Sequence, residues 1–398
     1  MDPRGFQLTR VPEDFFDDPY RYYAALREHD PVHELEGGGF FLSRHADVVA
    51  VYRSAHASSD KKAEFAPKFG ASPLYQHHTT SLVFNDPPLH TRVRGLIMGA
   101  LNQRAIARME AGVVALVDGL LERMPAQADF IEDFAARIPV EVIGSLLDVP
   151  KGERGPLRAW SIAILSALEP RPSAEMLERG NRAVVEFVAY LEQLIRERRR
   201  NPGDPESDVL TRLIRGEKDG TRLSADELHH NCIFLLNAGH ETTTNLIGNG
   251  VWLLLAHQGE MQRLRREPAL VPAAVEEMLR YEGPIQLNNR RLSAPMTLGG
   301  RRLPEGSFLT LGIGAANRDP RQFPHAERFD VARRPNRHVA FGHGEHACAG
   351  MNVARMEARI AFARLLGRFP RLEPAGRAER DRRIRFRGFR KLPVRVRV

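Results

Sequence analysis

A lone cysteine beside a glycine-rich loop is the residue in this sequence best suited to chemistry. Cys348 lies in the segment FGHGEHACAG, and Cys232 is the other cysteine among the 398 residues. A helical pattern, MNVARMEARIAFARLL, follows directly, so Cys348 is expected just before a helix N-terminus, where amide N–H groups and the helix dipole favour a thiolate. A single thiolate cannot build a structural zinc or iron–sulfur site. Three roles stay open: a catalytic nucleophile, an axial ligand of haem iron, or an inert packed side chain.

The glycines around Cys348 predict a tight loop with room beside it. Gly342 and Gly344 precede the cysteine and free the backbone to turn sharply. Gly350 follows two residues later, and its missing side chain would allow something large and flat to approach the loop closely.

A second chemical feature interrupts an apolar helical pattern. Ser224 and Glu227 fit a capping box, so a helix should begin there and continue through LHHNCIFLLNAGHETTTNLIGNGVWLLLAH. About thirty residues would span roughly 45 Å, enough to cross a domain of this size. Gly239, Glu241 and Thr242 are poor choices for the interior of a buried helix, which predicts a local opening at a functional site.

The elements that position these residues are mostly helices. Apolar residues three and four positions apart recur at 108–124, 183–200 and 273–282. Strand signals are confined to a hairpin around Gly37–Gly39, to 296–317 and to 389–398. Few strands scattered among long helices exclude an alternating parallel α/β plan. We therefore expect a mainly α protein with small β-sheets and one long central helix.

Composition narrows the class of protein further. The chain is 42% hydrophobic, 27% charged and carries a net charge of +8. Two cysteines supply no disulfide framework, and the charged N-terminal segment has no apolar signal core, so a cytoplasmic monomer is expected. The polar NAGHETTTN interrupts the apolar run, which argues against a membrane span. No nucleic-acid-binding signature accompanies the basic residues, so no nucleic-acid partner is expected.

The cysteine loop resembles the haem-binding signature of the cytochrome P450 monooxygenases. FGHGEHACAG has the Phe, Gly, basic residue, Cys and Gly of that signature at matching spacing, with His346 where many members carry Arg. Four further segments resemble motifs of the family in the same order: NDPPLHTRVRGL, AGHETT, EMLR and ANRDPRQFPHAERFD. The similarity runs from GGFFLSRHADVVAVY to LPVRV, and one departure is Leu101 where the family often has Phe.

The resemblance implies a single P450 domain over residues 1–398, with a long helix over haem b and Cys348 as its axial ligand. His90, Arg94, Arg290 and His338 would pair with the haem propionates, and His346 would lie near the same edge. The residues implied to bind the cofactor are His90, Arg94, Ala238, Arg290, His338, Phe341, Gly342, His346, Cys348 and Gly350.

The resemblance also implies roles for residues that do not hold the cofactor. Thr242 would hold a water, and Glu241 would relay protons inward from solvent. Glu277 and Arg280 would form a buried structural pair that braces the haem loop. The substrate pocket would be formed by Phe234, Asn237, Ile285, Asn288 and Phe389, under a loop lid at 65–84.

The activity implied is that of a haem-thiolate monooxygenase. It would use dioxygen and two electrons to hydroxylate a small to mid-sized, largely apolar organic substrate. Ferredoxin and ferredoxin reductase would deliver the electrons, ultimately from NAD(P)H. A peroxide-driven peroxygenase and a haem-thiolate gas or redox sensor are the alternatives, and the presence of Glu241 with Thr242 argues against both. The docking surface for ferredoxin would lie on one helix with Arg92, Arg94, Arg104 and Arg108 and on another with Arg355 and Arg359.

Overall fold

Helices form most of the structure, a computed structural model that describes residues 5–204, 208–215 and 222–397. The final residue of the predicted C-terminal strand, 398, lies outside these ranges. The helices are α1 Tyr20–His29, α2 His45–Arg53, α3 Lys62–Phe69, α4 Pro73–Thr80, α5 Leu89–Ala100, α6 Gln103–Glu122, α7 Arg137–Leu146, α8 Gly155–Ser166, α9 Ala174–Arg200, α10 Val209–Arg215, α11 Ala225–Ala256, α12 Gln258–Arg266, α13 Val271–Tyr281, α14 Ile313–Ala316 and α15 Met351–Arg368.

The strands are short and form small sheets, which confirms the predicted mainly α class. They are β1 Val32–Glu34, β2 Phe40–Leu42, β3 Ala57–Ser58, β4 Gln127–Asp129, β5 Leu287–Leu292, β6 Met296–Leu298, β7 Arg301–Leu303, β8 Phe308–Gly312, β9 Arg371–Pro374, β10 Glu379–Arg380, β11 Phe389–Lys391 and β12 Pro393–Arg397. Five strands pair in the order β1-β2-β8-β5-β3, three in the order β4-β12-β9, and β6-β7 and β10-β11 pair by themselves. The hairpin predicted around Gly37–Gly39 is β1–β2, with Val32 opposite Leu42.

The strand β5 was not predicted, although it lies inside the largest sheet. Its sequence LNNRRL places amides and arginines where an apolar alternation would have marked a strand. Pairing with β8 on one side and β3 on the other holds it in extended form. This strand brings Asn288 and Arg290 to the site described below.

The central helix α11 begins where its capping box predicts. The Glu227 N–H donates to the Ser224 hydroxyl at 3.1 Å, and the Ser224 N–H donates to the Glu227 carboxylate at 2.8 Å. At ~1.5 Å per residue, α11 is about 48 Å long. Within the described ranges, no helix has both the length and the apolar character needed to cross a membrane.

The helix α11 passes between two separate apolar clusters. Its first half, including Leu228 and Cys232, packs with α3, α4, α5, α8, α9 and α10. Its second half, from Leu246 to Leu255, packs with α6, α12, α13 and α15. The polar residues 237–245 therefore fall between the two clusters. Cys232 is fully buried in the first of these clusters, and burial raises its pKa to about 12.

The predicted opening of α11 is not observed. The helix is continuous through residues 238–244, where the Thr242 hydroxyl donates to the Ala238 carbonyl at 2.7 Å. A threonine bond of this kind often bends a helix slightly, but α11 continues through it. Gly239 has a packing role instead, because a Cβ there would lie 2.2 Å from the Ile143 Cδ1 of α7.

The segment 65–84, predicted as a loop, is largely helical. It holds the end of α3 and all of α4, followed by a short 3₁₀ turn at Leu82–Phe84. Ser72 caps α4 by accepting the Tyr75 N–H at 3.3 Å, and Pro73 occupies the first turn, where it leaves no hydrogen bond unmade. The cap and the proline both indicate a helix, and the prediction of a loop did not take them into account.

A buried histidine of α4 is expected to make the folding stability of the protein sensitive to acid. His78 packs among Phe65 and Phe84, with ring centroids 5.5 Å from each, and burial followed by nearby Lys68 lowers its pKa to about 3. The unfolded chain takes up this proton below about pH 6.5, so the contribution to stability is lost as pH falls through that value. Between pH 7 and 5, His78→Phe is expected to lose about 2 kcal/mol less unfolding free energy than the wild type.

Urea unfolding at pH 7 and pH 5 measures this difference. His29→Phe, a change at an exposed histidine, is the control and should follow the wild type. A His78→Phe protein whose stability falls as steeply as the wild type would contradict the assignment.

Candidate active site

The loop before α15 holds Cys348 in a fixed position. Gly342 and Gly344 have φ of 68° and 73°, the left-handed region that favours glycine. A Cβ at Gly344 would lie 2.5 Å from the Tyr52 carbonyl oxygen, so the loop packs closely on α2. The Cys348 N–H donates to the Phe341 carbonyl at 2.9 Å.

The Cys348 thiol is accessible although protein surrounds it. Its side chain is exposed, yet burial is the largest influence on its pKa, a combination expected at the bottom of a cleft. Burial raises the pKa of the thiol, while the Gly350 N–H and the charges of Arg94 and Arg355 act in the opposite direction. The predicted effect of the helix start is therefore present but outweighed, and binding to a metal ion would remove the proton. A Cβ at Gly350 would meet no atom within 4 Å, so space lies beside the loop.

The central helix presents one accessible stripe. Ala238 is exposed, and Phe234 and Thr242, four residues before and after it, are partly exposed. Residues at this spacing share one helix face. Their neighbours Asn237 and Glu241 are buried, so the stripe faces a cleft within the protein rather than bulk solvent.

Four basic residues meet near the cysteine loop: His90 and Arg94 of α5, Arg290 of β5 and His346. The His90 and His346 rings are stacked, with centroids 3.8 Å apart and planes at 32°. Burial, followed by His90, Arg290 and Arg94, lowers the pKa of His346 to about 3. Arg94 also donates to the Ala347 carbonyl at 2.7 Å. We call these four residues the basic cluster.

The basic cluster fits a ligand with two carboxylates. Neither ring nitrogen of the buried His90 has a partner among the described residues, and neither does Nε2 of His346. Buried donors without partners and repelling positive charges are stabilised by anions. Haem carries two propionates, so these side chains, the accessible Cys348 thiol and the open space at Gly350 fit haem.

His338 lies outside the basic cluster in this structure. Its Nε2 is 3.1 Å from a carboxylate oxygen of Glu276, which also forms two hydrogen bonds of 2.7 and 2.8 Å with Arg355. Burial alone would raise the pKa of Glu276, but the bonds from Arg355 and His338 lower it to about 2. Glu276 could not be predicted as the partner of His338, because the pair joins α13 to a distant loop.

Glu241 forms a buried ion pair that sequence analysis missed. Its partner is Arg383, which lies between β10 and β11, and both side chains are 8% exposed. Arg383 also lies 3.0 Å from Asp381, whose carboxylate is 41% exposed. The predicted substrate residue Asn237 lies one turn before Glu241, and its buried amide has no partner within the described ranges.

Glu277 and Arg280 form the buried pair that the sequence predicted. Both side chains are 0% exposed, and their two hydrogen bonds are 2.7 and 2.8 Å long. Arg280 donates to the carbonyls of Asn317 and Ala326 at 2.9 Å each. Glu277 also accepts hydrogen bonds from the Asp330 N–H, Arg333 and Asn336. The pair therefore fastens residues 317–336, the segment before the cysteine loop, to α13.

A family profile described as Cytochrome P450 matches residues 167–397, more than half of the chain. The chain belongs to the cytochrome P450 family.

Individual P450s resemble it over nearly their whole length. The 6-deoxyerythronolide B hydroxylase of Saccharopolyspora erythraea is 36% identical, with 98% of this chain and 100% of the relative covered. The vitamin D(3) 25-hydroxylase of Pseudonocardia autotrophica is 36% identical over 90% of this chain and 88% of the relative. A crystal structure of P450BioI with an acyl carrier protein ligated to hexadec-9Z-enoic acid has a TM-score of 0.92 at 32% identity, covering 97% of this chain and 100% of that one.

Membership of the family identifies the chain as a cytochrome P450 monooxygenase with a cysteine-ligated haem. The P450 fold, predicted from the resemblance, is confirmed by the structural match.

The predicted substrate residues of this P450 lie in different surroundings from one another. Phe234 lies on the accessible stripe, and Ile285 forms an isolated bridge with Phe386. Asn288 donates to the Tyr52 hydroxyl at 3.2 Å and lines a cavity of about 200 Å³.

The prediction for Phe389 is wrong. Its ring lies 5.8 Å from that of Trp252 in the apolar cluster of the second half of α11. Trp252 is about 21 Å along the helix from Ala238, at ~1.5 Å per residue. In the same segment, the backbone of Phe386 pairs with that of Ile285.

The predicted docking arginines of the P450 belong to more helices than expected. Arg92 and Arg94 lie on α5, whereas Arg104 and Arg108 lie on α6, so the assignment of all four to one helix is wrong. Arg92 also pairs with Glu227 at the start of α11, with a hydrogen bond of 3.1 Å. It is therefore less suited to dock a partner than the sequence indicated.

Proposed function

We propose that this P450 binds haem through Cys348 and hydroxylates a small to mid-sized, largely apolar organic substrate. The observation that carries the proposal is the accessible Cys348 thiol beside the basic cluster, in which the ring nitrogens of His90 and Nε2 of His346 have no hydrogen-bond partner among the described residues. Haem held by a cysteine thiolate supplies the reductive activation of dioxygen when it is bound. The protein positions the cofactor and substrate and supplies protons.

The basic cluster holds the haem propionates. His90, Arg94, Arg290 and His346 provide donors and positive charge that offset the cost of burying two carboxylates. His338 was expected among them, but its bond to Glu276 supports a different role: holding the segment before the cysteine loop against α13. Ala238, Phe341, Gly342 and Gly350 form the walls around the ring.

Thr242 and Glu241 deliver protons to the site. The Thr242 hydroxyl hydrogen is engaged by the Ala238 carbonyl, so its oxygen is left to accept a hydrogen bond from a water on the accessible stripe. Arg383 keeps the Glu241 carboxylate in place, and the more exposed Asp381 connects this pair towards solvent. Glu241 can then pass protons inward to that water.

The substrate lies against the accessible stripe. Phe234, Asn237, Ile285 and Asn288 offer it aromatic, aliphatic and amide groups. Relatives named for 6-deoxyerythronolide B and vitamin D(3), and a structural neighbour with a bound fatty acyl chain, support a substrate with a large apolar part.

Electrons reach this P450 from NAD(P)H through a ferredoxin reductase and a ferredoxin. A surface groove of about 610 Å³ beside α15 is lined by four arginines, including Arg334 and Arg359, and by two acids, Glu110 and Glu276, and this excess of positive charge suits an acidic partner. We also propose that residues 1–398 form one domain in the cytoplasm, which the near-complete coverage of the relatives and the two free cysteines support.

The electron source and the role of Thr242 are tested together. The wild type should form product with ferredoxin, its reductase and NAD(P)H, and much more slowly with peroxide alone. Thr242→Ala should bind haem and substrate normally but release hydrogen peroxide, and its product per NAD(P)H should fall by roughly 10²-fold, the low end for a lost proton relay.

Thr244→Ala is the matched control. Its hydroxyl donates to the His240 carbonyl at 2.9 Å, as Thr242 does to Ala238, but Thr244 is buried away from the accessible stripe. It should couple like the wild type. Product formation that depends on peroxide alone and ignores Thr242 would instead support a peroxygenase.

A further inference from the structure

A second group of cations surrounds a cavity that adjoins the basic cluster. Lys61 and Lys68 of the α3 region and Arg385 of the C-terminal segment line the cavity of about 200 Å³. Glu64 is the one acid among the described residues that line it. Glu64 already pairs with Lys61, whose Nζ lies 2.8 Å from its carboxylate. Lys68 and Arg385 form no direct ion pair with it or with any other described residue, although Glu64 and Glu169 act on both pKa values.

Arg385 has donors to spare inside the protein. Its guanidinium bonds to neutral oxygens: the Leu168 carbonyl at 3.3 Å, the Leu287 carbonyl at 3.5 Å and the Asn289 amide at 2.5 Å. A guanidinium has five N–H donors, so two find no acceptor in the described part of the chain. Glu169 is the nearby acid, but one of its carboxylate oxygens accepts the backbone N–H of Arg385 and forms no ion pair with the guanidinium.

Lys68 likewise forms no direct ion pair in the described part of the chain, although the carboxylates of Glu64 and Glu169 lie near enough to act on its pKa. Its Nζ donates to the backbone carbonyl of Glu169 at 2.8 Å. Burial, followed by the charge of Arg385, lowers its pKa to about 8. Two partly buried cations that repel each other are stabilised by an anion placed between them.

The rest of the wall is mostly apolar, with Asn288, Asn289 and Thr310 as its neutral polar residues. Asn288 lines the cavity, and its amide oxygen accepts a hydrogen bond of 3.3 Å from Arg290 of the basic cluster. At ~30 Å³ per water-sized group, 200 Å³ holds roughly seven groups, a carboxylate and the first part of a chain. The apolar wall is formed by Phe65, Phe84, Leu168, Leu287 and Phe308.

We propose that this cavity binds the carboxylate of the substrate, so that the P450 acts on apolar carboxylic acids. Arg385 forms a charge-assisted pair with the carboxylate, Lys68 adds a second donor, and the apolar chain extends past Asn288 to the accessible stripe. This inference rests on the proposed function, because it requires the substrate to reach the stripe.

The test compares acids with their methyl esters on the haem-bound enzyme. Decanoic, tetradecanoic and hexadecanoic acids and their methyl esters are titrated while the low-to-high-spin shift of the haem band is recorded, and calorimetry gives the dissociation constants independently. The wild type should bind its best acid at least about tenfold more tightly than the ester, since hydrogen bonds to charged groups are the strong ones.

Variants of the two cations locate the effect. Arg385→Gln and Lys68→Met should each weaken acid binding by about 10-fold to 100-fold and leave ester binding unchanged. Arg385→Lys keeps the charge and should recover part of the affinity. Lys62→Met is the matched control: Lys62 is 52% exposed and pairs with Asp60 outside the cavity, so it should bind both ligands like the wild type.

Two results would overturn the inference. One is equal affinity for acid and ester, or no acid binding, in the wild type. The other is selectivity for the acid that survives both Arg385→Gln and Lys68→Met with ester binding intact. Neither result would contradict the proposed function, which is tested separately by thiolate ligation and by product formation with ferredoxin.

Discussion

Replacing Cys348 by histidine is expected to abolish the strongly red-shifted Soret band that thiolate-ligated haem shows when reduced and bound to carbon monoxide. Hydroxylation should disappear with it. A thiolate donates electron density that favours O–O bond cleavage, and a neutral imidazole donates less. The variant protein can still retain haem, because the basic cluster would hold the propionates independently of the iron ligand. Absorption spectra with carbon monoxide and a product assay measure the two losses.

The second cysteine provides the control for this substitution. Cys232 is fully buried in the apolar cluster of the first half of α11. Cys232→Ala should keep the red-shifted band and the activity. A band that persists in Cys348→His would remove Cys348 as the ligand.

Glu277→Gln is expected to destabilise the protein by about 3–5 kcal/mol, the range for breaking a buried ion pair. The substitution leaves Arg280 charged and 0% exposed with no carboxylate beside it, and it also removes the acid next to Arg333. Residues 317–336 would lose their anchor on α13, so haem should dissociate more readily. Urea unfolding at pH 7 and the loss of Soret absorbance to a haem acceptor protein measure the two effects.

An exposed pair of the same residue types shows what burial contributes. Glu192 and Arg196 lie four residues apart on α9, 3.9 Å from each other, with side chains 48% and 61% exposed. Glu192→Gln should change the unfolding free energy by about 0.5 kcal/mol or less. A Glu277→Gln protein that loses no more than this control would show that the buried pair does not brace the segment.

Features set by nearby residues were predictable from the sequence. The capping box at Ser224 and Glu227, the turn at Gly342 and Gly344, and the Glu277–Arg280 pair each depend on residues a few positions apart. Propensity and hydrogen-bond geometry act at that range, so the sequence pattern carries the information.

Pairs between distant segments were not predictable. Glu241 with Arg383 and His338 with Glu276 join parts of the chain that only the completed fold brings together. The charge of each residue was visible, but its partner was not. The position of Phe389 could not be predicted for the same reason, since its contact with Trp252 of α11 joins two distant segments.

The expected opening of α11 failed for a different, local reason. The composition of residues 238–244 indicated weakness, since Gly and Thr lower helix propensity. In the structure, the Ile143 side chain packs against Gly239, and the Thr242 hydroxyl donates a hydrogen bond to the Ala238 carbonyl. At Gly239 the packing against α7 therefore overrides the helix propensity.

The passage of α11 between two apolar clusters has an evolutionary consequence. The cluster around its first half includes the walls nearest the proposed substrate site, and the cluster around its second half includes α13 and α15, which support the cysteine loop. Substitutions in the first cluster can diversify the molecules accepted while the second keeps the cofactor site intact. The number of residues in the helix between the two clusters cannot vary in the same way. Deleting one residue there would rotate one half against the other by about 100° and misalign both clusters at once.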